Sequence, residues 1–138
     1  DQKAEEVIRE LILKKYPKHT IIGEEFDTID GNPNYRWFID PIDGTKSFIS
    51  GVPLWGTLIG LEVNNVPELG IIDIPCMNER YLGSHTLKKA IRIKDGVSED
   101  VITSNEKELK NVKFGYTTDE MFDDERSRKV LDKVNGSV

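Results

Sequence analysis

The sequence predicts an α+β fold in which a predominantly antiparallel sheet packs against helices. Three observations support this prediction. A helical pattern opens the chain, a series of apolar runs joined mostly by short turns fills its middle, and a second helical pattern closes it. The 138 residues suffice for one domain or most of one. We therefore expect a single core between the sheet and its helices.

The first predicted element is a helix over residues 4–16. Its apolar residues recur at helical spacing, and Pro17 ends the run. The residues that share the predicted apolar face are Ala4, Val7, Ile8, Leu11, Ile12 and Tyr16. We expect this face to pack against the sheet.

The next predicted elements are two strands and a short helix. Residues 19–24 indicate a short strand, and residues 27–34 have the composition of a loop. Residues 35–40 indicate a buried strand, and residues 44–50 a short helix. Both strands end in acidic residues.

The middle of the chain predicts the rest of the sheet. Apolar runs at 54–63 and 68–74 flank the sequence Asn-Asn-Val-Pro, which is typical of a hairpin. Residues 80–84 continue as a third strand. Residues 90–94 alternate apolar and charged side chains, as a half-exposed strand does, and a turn follows at 95–96.

The last part of the chain gives weaker signals. Residues 101–102 and 112–117 are further strand candidates, and residues 119–134 predict a helix. The partial apolar stripe of this helix consists of Met121, Phe122, Val130, Leu131 and Val134.

Composition excludes several classes of protein. Hydrophobic residues make up 37% and charged residues 32%, with a net charge of −6, so we expect a globular protein and no nucleic-acid polymer as partner. Cys76 is the only cysteine, which excludes an intrachain disulfide. No apolar run approaches the roughly 20 residues that span a bilayer, and no signal peptide is visible. We expect a cytoplasmic protein that makes no membrane contact and begins before Asp1.

Acidic residues end two predicted strands. Asp40 and Asp43 close one apolar run, and Glu24 closes an earlier one. Mg²⁺ prefers such oxygen ligands. Pro41 fixes one φ angle and removes one N–H, which leaves the Ile42 carbonyl able to face the same centre. The pattern indicates metal-assisted phosphate chemistry.

Gly44 and Thr45 follow this acidic segment. Gly44 lets backbone N–H groups approach a phosphate closely, and a helix start there favours an anion. The hydroxyl of Thr45 could orient an attacking water. From these residues alone, explanations without a functional site stay open. Asp-Pro and Asp-Gly are common in turns, and acidic residues at a strand end are often only solvated.

Three segments together resemble the inositol monophosphatase family. They are Asp-Gln-Lys-Ala-Glu at 1–5, Ile-Gly-Glu-Glu at 22–25 and Trp-Phe-Ile-Asp-Pro-Ile-Asp-Gly-Thr at 37–45. Their order and spacing also fit, and the resemblance extends to about Leu131. It implies a sugar-phosphatase-like fold of alternating αβαβα layers, with residues 1–138 as its N-terminal α/β portion. A preceding helix, and a C-terminal half with a further Asp ligand, are expected to be absent from this chain.

The resemblance also implies a metal site. Its ligands would be Glu24, Asp40, Asp43 and the carbonyl of Ile42, holding about two or three Mg²⁺ ions. Family members are typically Mg²⁺-dependent, often sensitive to Li⁺ and commonly homodimeric, so we expect the same here.

The same resemblance implies roles in catalysis. Asp43, Gly44 and Thr45 would bind the phosphate of a small phosphomonoester. Thr45, hydrogen-bonded to Asp1, would activate a metal-bound water with Glu24 nearby. That water would attack phosphorus directly, without a phospho-enzyme intermediate.

Segments after the signature favour one branch of the family. Residues 46–59, 70–75 and 116–118 are similar to the histidinol-phosphate phosphatase branch. The implied reaction is hydrolysis of L-histidinol phosphate to L-histidinol and phosphate, a step of histidine biosynthesis. Alternatives are an inositol monophosphatase, a 3′(2′),5′-bisphosphate nucleotidase, or a non-catalytic fragment that binds metal or phosphate.

Overall fold

A computed structural model describes residues 1–108, 111–112, 115 and 124–135. The chain divides into two compact units, Asp1–Ile102 and Thr103–Val138. The first unit contains a seven-stranded sheet and two helices, which confirms the predicted α+β class. No helix in the described part of the chain is long and apolar enough to cross a membrane.

The strands of the first unit form one sheet in chain order, β1 to β7. β1 and β2 are parallel, and every later neighbouring pair is antiparallel. The predominantly antiparallel sheet is therefore confirmed. The elements are α1 (Gln2–Lys15), β1 (His19–Gly23), β2 (Asn32–Asp43), α2 (Thr45–Ile49), β3 (Gly56–Val63), β4 (Val66–Ile74), a 3₁₀ turn (Pro75–Met77), β5 (Glu79–Ser84), β6 (Lys89–Lys94) and β7 (Val97–Val101).

The parallel pair has an unusually short connection, residues 24–31. Parallel neighbours generally need a crossover of about a dozen residues or more. Here the connection first runs back along β1, where Ile29 and Ile21 exchange backbone hydrogen bonds of 2.9 and 3.0 Å. It then crosses the start of β1 at Gly31, where a Cβ would lie 2.6 Å from the carbonyl oxygens of Lys18 and His19. Gly31 thus permits a crossing that a larger residue would obstruct.

The core of the first unit lies between α1 and the first two strands. Ile12, Ile21 and Ile39 are buried there. The partly buried residues that pack against them are Ile8, Leu13, Ile29 and Trp37. The strand predicted to be buried at 35–40 is buried only in part, because Ile39 lies in this core whereas Tyr35 and Phe38 are 37% and 40% exposed.

The predicted apolar face of α1 is partly wrong. Ile12 faces the core, but Val7 is 49% and Leu11 64% exposed. Glu5 and Arg9 are buried beside Ile12 instead. Residues 5, 9 and 12 are each about one helical turn apart and therefore share one face of α1. Glu5 and Arg9, which the predicted apolar stripe does not include, pair with each other on this buried face.

The strand ends differ from prediction in several places. β2 begins at Asn32, so the predicted loop at 27–34 ends three residues early. β3 and β4 are joined by a two-residue turn whose φ angles are 52° at Asn64 and 63° at Asn65, so Pro67 already belongs to β4. Asparagine tolerates this left-handed backbone, which is typical of tight hairpins. The turn at 95–96 is confirmed, and β7 ends before Ile102.

The second unit contains helix α3 (Glu125–Asn135). The Asp124 side chain accepts hydrogen bonds from the backbone N–H groups of Arg126 and Ser127 at 2.7 and 2.8 Å, which caps the helix start. The predicted helix began at residue 119, but residues 119–123 lie outside the described residues, as do the segment 116–118 and the side chains of Met121, Phe122 and Val134. Of the strand predicted at 112–117, Val112 and Gly115 are described, and neither is in a strand.

Candidate metal and phosphate site

The acidic end of β2 is bent away from regular pairing. Asp40 pairs with Leu58 and Asp43 with Gly56, so β2 has one residue more than β3 in this interval. Such a bulge re-aims side chains and leaves a backbone group unpaired. Pro41, which has no N–H, lies inside the bulge. The two Asp residues therefore sit where the strand departs from the sheet.

Two hydroxyl groups hold the backbone of this bulge. Thr57 Oγ1 on β3 donates to the Pro41 carbonyl at 2.8 Å. Thr45 Oγ1 donates to the Ile42 carbonyl at 3.1 Å. Thr57 was missed by the site prediction, and its signal in the sequence is a hydroxyl directly before the apolar residues 58–61. These bonds fix successive carbonyls between the two Asp residues.

Glu24 and Asp40 come together at one edge of the sheet. Because β1 and β2 are parallel and Gly23 pairs with Ile39, the residues that follow these two lie side by side. The Asp40 Oδ1 atom is buried, and no donor among the described residues forms a hydrogen bond with it. The pKa of Asp40 is raised from 3.8 to about 6, first by burial, then by the hydrogen bond and the charge of the Glu24 carboxyl and by the charge of Asp43. The Ile42 backbone N–H lowers this pKa and offsets part of the shift.

This carboxylate pair fits a divalent cation. A buried carboxylate oxygen without a hydrogen-bond donor destabilises the fold. A cation between the two carboxylates would offset their mutual repulsion and would also coordinate this oxygen. The structure does not assemble the full predicted ligand set as a cluster. Among the described ranges, no group of three or more His, Cys, Asp or Glu side chains lies close enough to hold a metal ion. Asp43 is exposed and acts on Asp40 through its charge.

The remaining predicted site residues have identifiable environments. Ile42 is buried, and its carbonyl has a second lone pair besides the one that Thr45 uses. The expected Thr45–Asp1 hydrogen bond differs from the observed one, because the single hydroxyl proton of Thr45 already points at Ile42. Asp1 instead starts α1, where its carbonyl accepts the N–H of Ala4 at 2.9 Å.

Gly44 connects β2 to α2 in a conformation that favours glycine. Its φ is +89°, and a Cβ there would lie 2.8 Å from the Leu54 carbonyl oxygen. The backbone of Gly44 thus passes directly against the segment that leads into β3. Its N–H and that of Thr45 remain the predicted phosphate contacts.

Gly44→Ala is expected to lower the free energy of unfolding by about 1–3 kcal/mol, because it adds both left-handed strain and a steric clash. Gly51→Ala is the matched control, since Gly51 has φ +71° but no atom of the described residues lies within 4 Å of the position that a Cβ would take. Urea unfolding of both variants measures the difference. Equal losses for the two variants would contradict a close approach at Gly44.

The fold and the site together define a class: α+β proteins with a carboxylate pair at the joined ends of two parallel strands, next to a glycine-containing turn. The sequence model of the inositol monophosphatase family matches residues 1–136. The chain belongs to the inositol monophosphatase family.

Individual relatives point to several phosphatases. The chain is 51% identical over 81 residues to a histidinol-phosphatase of Chlorobaculum parvum, covering 59% of this chain and 31% of that protein. It is 39% identical over 103 residues to a fructose-1,6-bisphosphatase/inositol-1-monophosphatase of Aquifex aeolicus, covering 71% of this chain and 39% of that protein. The solved inositol monophosphatase of Anabaena (Nostoc) sp. PCC 7120 is 33% identical, with a TM-score of 0.63 over 69% of this chain and 40% of that chain. The chain thus spans well under half the length of these relatives.

Proposed function

We propose that the protein containing this chain is a Mg²⁺-dependent phosphomonoesterase. The observation that carries the proposal is the contact between Glu24 and Asp40, in which one buried Asp40 oxygen receives no hydrogen bond from the described part of the chain. Acidic residues held this closely need a counter-charge, and a divalent cation that also binds a phosphate supplies one. Membership of the inositol monophosphatase family supports the same conclusion.

Each site residue then has a defined task. Glu24, Asp40 and Asp43 hold the cation, together with the Ile42 carbonyl. When bound, Mg²⁺ neutralises phosphate charge and makes water a better nucleophile. The N–H groups of Gly44 and Thr45 bind phosphate oxygens, and the oxygen of the Thr45 hydroxyl, together with Glu24, orients the water. Water oxygen bonds to phosphorus as the ester bond breaks, and the alcohol leaves with a proton.

L-Histidinol phosphate is the proposed substrate. The relative from Chlorobaculum parvum supports it through 51% identity. The Aquifex aeolicus relative supports inositol phosphates or fructose 1,6-bisphosphate instead, and a bisphosphate nucleotide is a further candidate from the signature alone. We also propose a homodimer that Li⁺ inhibits, as expected from the family resemblance.

The test measures phosphate release by the intact protein with and without Mg²⁺. The four substrates are L-histidinol phosphate, an inositol phosphate, fructose 1,6-bisphosphate and a bisphosphate nucleotide. We expect Mg²⁺-dependent release that is fastest from L-histidinol phosphate and stops when EDTA removes the metal. Faster release from an inositol phosphate would move the substrate assignment within the family. Absence of Mg²⁺-dependent release from all four would contradict the enzymatic proposal.

A non-catalytic binding domain is the second candidate, favoured by the finding that the described residues contain no three-ligand acidic cluster. Titration calorimetry separates it from the first. Binding of Mg²⁺ or inorganic phosphate by the intact protein, with no turnover of any substrate, would support it.

A further inference from the structure

Glu5 and Arg9 form a buried ion pair on α1. Arg9 Nε donates to Glu5 Oε1 at 2.6 Å. Glu5 is 0% and Arg9 7% exposed, although charged residues are rarely buried so completely. Neither residue has a role in the site described above.

The ion pair also holds the backbone that follows β1. Glu5 Oε2 accepts the backbone N–H of Glu25 at 2.9 Å. Arg9 donates through Nη1 to the Asp27 carbonyl and through Nη2 to the Phe26 carbonyl, each at 2.9 Å. Its guanidinium also lies over the Phe26 ring, 5.6 Å from the centroid. Two side chains of α1 thus fix three successive backbone positions.

Glu24 lies between two of these contacts. On one side, a Cβ at Gly23 would lie 1.9 Å from Glu5 Oε1, so the end of β1 rests directly on the ion pair. On the other side, Glu25 is hydrogen-bonded to Glu5. The Glu24 side chain is exposed and reaches Asp40, so its position depends on a backbone held from both sides.

Stability alone does not account for this pair. Apolar residues of similar volume often replace a buried ion pair without loss of stability, because desolvation offsets the attraction between the charges. Apolar side chains cannot, however, accept the Glu25 N–H or donate to two carbonyls. The charges are therefore best explained by the backbone that they hold.

We propose that Glu5 and Arg9 are positioning residues that place the Glu24 carboxylate beside Asp40 for cation binding. This inference rests on the proposed function, because it takes the Glu24–Asp40 pair as a Mg²⁺ site. The pair acts through the backbone of residues 23–27 and touches neither the cation nor the phosphate.

The test is the double variant Glu5→Met/Arg9→Met in the intact protein, with Mg²⁺ affinity measured by calorimetry and backbone amide exchange measured for residues 23–27. We expect Mg²⁺ binding to weaken by about 10- to 100-fold, as for other residues that orient ligands, and exchange of the 23–27 amides to accelerate. The control is Arg36→Met/Glu62→Met, which removes an ion pair between β2 and β3 and should change neither measurement.

Arg9→Lys serves as the milder variant if the double variant does not fold. It keeps the charge but has no planar fork to reach both carbonyls, so we expect an intermediate loss of Mg²⁺ affinity. Faster exchange with unchanged Mg²⁺ affinity would reduce the pair to a structural role, and unchanged exchange would overturn the inference entirely. Failure of the unmodified protein to bind Mg²⁺ would instead overturn the proposed function, whatever the exchange shows.

Discussion

Asp43→Asn is expected to lower phosphomonoesterase activity by about 100-fold or more while leaving the melting temperature nearly unchanged. Asp43 ends β2 and is exposed, so replacing its carboxylate with an amide costs little packing. The amide keeps the shape of the side chain but loses the charge that would bind the cation and balance it near the phosphate. A large kinetic effect should therefore accompany a small effect on folding.

The measurement is the initial rate of Mg²⁺-dependent phosphate release, paired with a thermal unfolding curve. Asp100→Asn is the control, because Asp100 is also exposed and forms a surface ion pair with Lys89. We expect this control to retain normal turnover. Near-normal turnover by Asp43→Asn would remove Asp43 from the site.

Local patterns predicted most of the sheet correctly. The apolar run before Asp40 is β2, and the alternation at 90–94 is β6 within one residue. These predictions succeed because a strand or hairpin with one buried face carries its period and its turn residues in a short stretch of sequence. The tight turn at 64–65 is an example in which even the strand connection is local.

Features that depend on distant contacts were not predictable in the same way. Hydrophobic periodicity placed Val7 and Leu11 on the face that packs against the sheet and did not include Glu5 or Arg9. In the structure Val7 and Leu11 are exposed, and Glu5 and Arg9 are buried. A Glu and an Arg one turn apart look identical in sequence whether they are solvated or buried. Only the loop that they bind distinguishes the two cases.

The candidate site was predicted in part for the same reason. The strand-end positions of Glu24 and Asp40 were visible in the sequence, but their contact requires β1 and β2 to be parallel neighbours, which the short connection did not suggest. Asp43 is close enough to influence the pKa of Asp40 electrostatically. Its role as a ligand remains a prediction that the mutagenesis above tests.

Asp40→Asn is expected to have two opposite effects: a loss of Mg²⁺ affinity of about 100-fold or more, and a higher stability of the metal-free protein at neutral pH. The first effect follows from removal of a charged ligand. The second follows because the amide can donate a hydrogen bond to Glu24, whereas the ionised carboxylate of Asp40 can only repel it.

The pH dependence distinguishes this explanation from a general change in packing. The folded-state pKa of Asp40, about 6, exceeds its ordinary value of 3.8, so between these values the folded state retains a proton that the unfolded state has lost. The free energy of unfolding of the metal-free protein therefore falls as pH rises through this window. Above the window Asp40 is ionised in both states, and the full destabilisation is present. Asp40→Asn removes that cost, so its advantage in melting temperature should be present at about pH 7.5 and absent near pH 3.5.

Thermal unfolding in EDTA at both pH values, with Asp100→Asn as control, measures the advantage. Mg²⁺ affinity of the unmodified protein supplies a second reading, because a proton on Asp40 competes with the cation. Because the pKa of Asp40 is about 6, we expect affinity to fall by about fivefold between pH 6 and pH 5 and to change little above pH 7.5. A variant that is less stable than the unmodified protein at neutral pH without metal would show that the Asp40 carboxylate is satisfied within the fold, and the reason for placing a cation beside it would then be lost.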